Sequence, residues 1–108
     1  MQTIQLLTAV TTNSTGTTFP IGNIYDDSKP FRCYQSTVDG TGALTATISF
    51  FGSNDGVNWS ATPFGTIALS GTTTATDNFA SAAPWAYVRC VVSGLTGTSA
   101  TVKTSVVQ

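Results

Sequence analysis

From residue 43 to residue 51, apolar and hydroxyl side chains alternate without a break. Leu44, Ala46, Ile48 and Phe50 fall on one side, and Thr45, Thr47 and Ser49 on the other. A period of two is the mark of a strand with one buried face, because successive side chains leave a pleated backbone in opposite directions. The same reading divides the rest of the chain. Residues 4–10 are a first strand with Ile4, Leu6 and Thr8 on one face, 13–16 a turn, and 17–21 a short second strand. Residues 25–30 form a loop in which Asp and Ser side chains bond nearby backbone and Pro30 stops any helix. Residues 31–38 are a strand with Phe31, Cys33 and Gln35 opposite Arg32, Tyr34 and Ser36.

Asp39-Gly40-Thr41-Gly42 is read as a turn before the 43–51 strand, and Asn54-Asp55-Gly56 as a hairpin tip returning to Trp59. An extended segment then reaches Leu69, Ser70-Gly71 turns, and 73–77 is a strand followed by a small-residue loop over 79–84. Residues 85–93 are a strand, Gly94-Leu95-Thr96-Gly97 a hairpin turn, and 99–107 the last strand. No segment of useful length has helical periodicity. About eight strands without a helix predict an all-β, antiparallel β-sandwich or jelly roll, since each half-apolar sheet needs another to cover it. There is no linker or internal repeat, so residues 1–108 are one domain, with 1–12 a first strand or an intersubunit arm.

Composition supports a folded chain. Hydrophobic residues make up 41% and aromatics 10%, which separates it from disordered sequences. A chain of this length buries roughly two-thirds of the surface its unfolded form exposes. Charged residues are only 8% and the net charge is −1, so copies repel one another weakly and association is expected. Lys29, Arg32, Arg89 and Lys103 are scattered, which argues against a phosphate-tracking surface and hence against nucleic acid as a partner. No apolar run approaches the roughly 20 residues of a membrane span, and the first ten residues lack the basic and apolar regions of a signal peptide.

Catalysis has few of its usual residues. His and Glu are both absent, removing the common general base and leaving acid–base work to Asp26, Asp27, Asp39, Asp55 and Asp77, all in predicted turns. We therefore expect no enzyme, no cofactor and no metal. Asp26-Asp27 is a weak Ca²⁺ signal and reads as a solvated loop. Cys33 and Cys90 are placed in core-facing strands. A disulfide between them would close a loop of about 57 residues and add roughly 4 kcal/mol, but without a secretion signal free thiols are expected.

Asp55-Gly56 has the backbone freedom of a positive-φ turn, and the Asp55 carboxylate can accept amide hydrogens within the tip. Asp55, Gly56, Trp59, Trp85 and Tyr87 are read as a structural hairpin with its core, Trp59 anchoring the core beneath the tip. The alternative is a sugar-stacking platform built on Trp59, Trp85, Phe50, Phe51, Phe64 and Phe79. At the other end of the chain, the adjacent Leu6 and Leu7 would point to opposite faces of a regular strand. Ile4, Leu6 and Leu7 are therefore candidates for an intersubunit contact, the alternative being a strand buried on both faces within one chain.

Three stretches occur in a telling order: Gly52-Ser-Asn-Asp-Gly-Val-Asn-Trp59, Ala83-Pro-Trp-Ala-Tyr-Val-Arg89, and Gly94-Leu-Thr-Gly-Thr-Ser-Ala-Thr-Val102. Over residues 43–107 the chain resembles a small β-sandwich module of tailed-phage virion proteins, among them head decoration (cement) proteins and tail or fibre components. The resemblance implies a bacteriophage structural protein, a capsid decoration subunit. It implies a homotrimer on the virion head, made in the host cytoplasm, with the major capsid protein as partner. Its alternatives are a tail, baseplate or fibre module that binds host surface glycan, and a free carbohydrate-binding domain.

Overall fold

Two long strands carry the architecture. The computed structural model describes residues 3–16, 32–81 and 85–107. In chain order the strands are β1 (Thr3–Val10), β2 (Ser14–Thr15), β3 (Arg32–Ser53), β4 (Gly65–Gly71), β5 (Thr74–Ser81) and β6 (Tyr87–Val107). Every pairing among them is antiparallel, and no described residue is helical. β3 and β6 pair from Ser53↔Tyr87 to Cys33↔Val107. β4 and then β5 follow the other side of β3, while β1 and then β2 follow the other side of β6.

The sheet folds over on itself. Tyr34 and Phe50 stand sixteen residues apart in β3, which would separate them by about 53 Å in a straight strand. Their ring centroids are 5.2 Å apart. The strand therefore doubles back, and its neighbours bend with it. β3 bends across Gly40 and Gly42, β6 across Gly94, Gly97 and Ser99, and the register shifts between Asp39 and Thr47. Gly42, Gly94, Gly97 and Ser99 have φ values of +84°, +61°, +123° and +53°. Hydroxyls tie the bends together: Thr45 Oγ1 lies 2.7 Å from Thr96 Oγ1 and 2.8 Å from the Gly94 carbonyl. The Leu95 amide donates to Asn13 Oδ1 at 2.9 Å, fixing the β1–β2 connection to the same place.

The period of two survives the bends. Even positions of β3 and β6 face inward on both sides of them: Tyr34, Ser36 and Val38, then Leu44, Ala46, Ile48 and Phe50, with Val88, Cys90, Val92, Val102, Thr104 and Val106. Ile67 and Leu69 of β4 complete this core. Each fully buried Val, Leu, Ile or Phe contributes roughly 1.5–3 kcal/mol relative to an exposed one. One polar pair lies within: Ser36 Oγ and Thr104 Oγ1 are 2.8 Å apart, so each buried hydroxyl satisfies the other. At one end five rings meet. Tyr34 stacks on Phe79 at 5.1 Å, Phe50 meets Phe79 edge-on at 5.2 Å, and Phe64 bridges to Trp85 at 6.4 Å. Burial pushes the Tyr34 phenol up to about 12.

Several expectations are corrected by this arrangement. The described strands number six in one sheet, because the expected strands 31–38 and 43–51 run on as β3, and 85–93 and 99–107 as β6. Gly94–Gly97 is a bend inside β6 and not a hairpin turn, as is Asp39–Gly42 inside β3. β5 continues through Phe79 to Ser81, because Phe79 pairs with Tyr34 and stacks on it. Asp39 and Asp77 accordingly lie in strands, not turns. Cys90 is buried, but Cys33 sits on the opposite face of β3 and is half-buried, and both thiols are free. The strand expected at 17–21, the 25–30 loop with Asp26-Asp27, and residues 82–84 lie outside the described residues.

Leu6 and Leu7 are both inside. Gln5 pairs with Ser105 and Leu7 with the adjacent Thr104, so Leu6 is the extra residue of a β-bulge. A bulge brings two successive side chains towards the same face, which breaks the alternation that a regular strand would impose. Each leucine is 3% exposed, its surface covered by the chain's own core. Ile4 pairs through its backbone with Val106.

Candidate functional site

At the far end of β3 the chain leaves Ser53 for an eight-residue excursion built on two side chains. Ser53 Oγ, almost fully buried, accepts the amides of Gly56 at 2.9 Å and Asp55 at 3.2 Å. Its own hydrogen faces the Asn58 carbonyl at 2.7 Å and Asp55 Oδ1 at 2.9 Å. Asp55 Oδ1 accepts the amides of Val57 and Asn58, both at 2.8 Å, and Oδ2 accepts Asn58 Nδ2 at 2.9 Å. The loop is closed by the Ser60 amide donating to the Gly52 carbonyl at 3.0 Å. Gly56 turns the chain at φ +75°, against the ring of Tyr87.

These donors hold the Asp55 carboxyl well below the usual carboxylate range. The amides of Asn58 and Val57 weigh most, then the Asn58 side chain and the Ser53 hydroxyl. Because the folded value is depressed, the tip's stabilisation is fully present above the unfolded value of about 4 and is lost as pH falls through the folded one. We expect the Asp55 carboxyl carbon, followed by NMR, to titrate well below the usual carboxylate range. The melting temperatures of wild type and Asp55→Asn should converge as the solution is acidified below about pH 4. A gap that stays constant down to acidic pH would show that the charge does not hold the tip.

Of the two tryptophans, Trp59 takes a different place from the one expected. Trp59 is half-buried and lies outside the core, with the Arg89 guanidinium 4.4 Å from its ring centroid. It does not anchor the core beneath the tip: Arg89 is an outward-facing position of β6, and Trp59 packs on that outer side. Trp85 takes the inner side instead. Its indole lies on Gly52 so closely that a Cβ there would stand 2.1 Å from the ring. Trp85 is also packed against the core, and its carbonyl accepts from Arg32 Nη1 at 3.2 Å.

Between them is a depression of about 280 Å³ lined by Gly52, Ser53, Asn54, Asp55, Asn58, Trp59, Ser60 and Trp85. The tip thus joins all five of the predicted residues: Asp55 and Trp59 on it, Gly56 against Tyr87, and Trp85 beside it. Ser53, Asn58, Ser60 and Arg89 were not singled out from the sequence. A serine two positions before Asp-Gly is the signal for the first of these. Arg89 carries no comparable local signal. A second depression, about 310 Å³, lies on the outer face between β1, β6 and β3, among Gln5, Gln35, Thr37, Asp39, Lys103 and Ser105. Among the described residues no group of three His, Cys, Asp or Glu side chains could hold a metal ion.

These features define a class: an all-β chain whose single antiparallel sheet folds over an aliphatic and aromatic core and carries a hydrogen-bonded Asp tip. No protein-family model matches the chain, and no curated protein does. Among solved structures it is similar to the SPBc2 prophage-derived protein YomS, with a TM-score of 0.56 over 99% of this chain and 92% of that one. The identity is 22%, so the likeness is one of fold.

Proposed function

We propose that this chain is a non-enzymatic structural protein of a tailed-phage virion, and within the virion a decoration (cement) subunit on the head, working as a homotrimer. The observation that carries this reading is the likeness of fold, over nearly the whole of both chains, to a prophage-derived protein. The motifs of residues 43–107 point the same way independently. Two further features favour assembly. The chain has four basic and five acidic residues, so its copies repel weakly. Among the described residues, the outer edges of β1 and of the β4–β5 side carry no partner strand.

The mechanism is mass action. A subunit that binds the assembled shell, bridging neighbouring capsomers of the major capsid protein, and does not bind free capsid subunits stabilises the shell by RT ln(1 + [L]/Kd), about 2.7 kcal/mol at a hundredfold excess over Kd. It does no chemistry. Light scattering of the purified protein and its incubation with undecorated heads test the reading. A trimer that labels the heads and raises their disruption temperature is expected. A chain that leaves heads unlabelled but adheres to host cells would instead be a tail or fibre module.

A further inference from the structure

The depression between the two tryptophans has a lining that neither the core nor shell binding explains. Two aromatic side chains line it: the Trp85 indole, packed on Gly52, and Trp59, whose ring lies against Arg89. The rest of the lining is polar and comes from the hydrogen-bonded tip: Asn54, Asp55, Asn58 and Ser60. The Asp55 carboxylate is fixed by its amide donors but not saturated. A carboxylate offers about four acceptor positions, and among the described residues Oδ2 receives only Asn58 Nδ2. Asn54 and Asn58 are exposed and supply amide donors and acceptors beside it.

We propose that this depression is a binding subsite for a single pyranose residue of a glycan. A pyranose has one face of C–H groups suited to an indole and a rim of hydroxyls that donate to a carboxylate and exchange hydrogen bonds with side-chain amides. A volume of about 280 Å³ is enough for one such ring. The preformed hydrogen bonds of the tip matter here, because a polar wall that is already ordered loses little freedom on binding. Arg89 plays a supporting part: it occupies one side of the Trp59 indole and so holds the ring in one orientation.

The subsite is independent of the proposed role on the head and would serve a virion surface protein by contact with cell-surface or environmental glycan. Titrating the full chain with methyl glycosides of neutral hexoses, N-acetylhexosamines and a hexuronic acid, followed by ¹⁵N amide shifts and tryptophan fluorescence, tests it. One sugar class should give saturable shifts confined to residues 52–60 and 85–89, with Kd about 1 mM for a ligand of this size. Trp59→Ala should weaken binding by about tenfold or more, and Trp59→Phe should restore part of it. Asn54→Ala, at an exposed position, tests the polar wall without threat to the fold and should weaken binding severalfold. Absence of saturable shifts from every class at about a hundred times that concentration, or shifts confined elsewhere, overturns the proposal. Head labelling by Trp59→Ala is expected to be unchanged, so failure of the sugar titration and failure of the decoration reading are separate results.

Discussion

Replacing Phe50 with alanine is expected to lower the unfolding free energy by about 3–5 kcal/mol, a large part of the 5–15 kcal/mol typical of a domain. Phe50 has no exposed surface, and its ring meets Tyr34 at 5.2 Å, Phe79 at 5.2 Å and Phe64 at 6.2 Å. These neighbours come from the other half of β3, from β5 and from the segment before β4. They cannot all collapse into the space left behind, so a cavity remains and its lining loses contacts. The comparison that gives the measurement its meaning is Trp59→Ala. Trp59 is the larger side chain, but it is half-buried on the outer face and its contact with Arg89 is of a kind worth roughly 0.5–1 kcal/mol at an exposed site. We expect Trp59→Ala to cost about 1–2 kcal/mol, including its partial burial. Equilibrium denaturation in urea resolves the difference. Equal losses at the two positions would mean that Trp59 belongs to the core after all.

That contrast also marks how far the sequence could be read. Within each half of the sheet the inward set was legible, since Leu44, Ala46, Ile48 and Phe50 alternate with hydroxyl residues and are all buried. The Asp55-Gly56 tip was legible too, because Asp followed by Gly encodes both the amide acceptor and the positive φ. The fold-back was not. Gly40 with Gly42, and Gly94 with Gly97, look locally like hairpin turns. A bend and a hairpin differ in which distant strands pair, and no local window contains that. Leu6 and Leu7 were misassigned to opposite faces for a related reason: a bulge is a feature of the pair of strands, not of either sequence. Trp59 was placed in the core by its size. Its direction is set by the hydrogen bonds of Ser53 and Asp55 six and four positions earlier, outside any strand period.

The bend offers the sharpest test of the fold-back. Gly97→Ala is expected to cost about 2–4 kcal/mol, from two separable causes. Gly97 has φ +123°, outside the region that an L-residue adopts readily. In addition, a Cβ there would stand 2.3 Å from Leu44 Cδ2. Leu44 has no exposed surface and is packed into the inside of the fold, so it has no open space to move into. Gly42→Ala separates the two causes. Gly42 lies in the facing bend of β3 with φ +84°, but a Cβ there would meet nothing within 4 Å. It should therefore cost only the conformational part, about 1 kcal/mol. Adding Leu44→Ala to Gly97→Ala should recover the steric part, so that the double variant loses less than the two single changes together. Additive losses would mean that Gly97 and Leu44 do not touch, and with that the packing of the β6 bend onto β3 described here would be wrong.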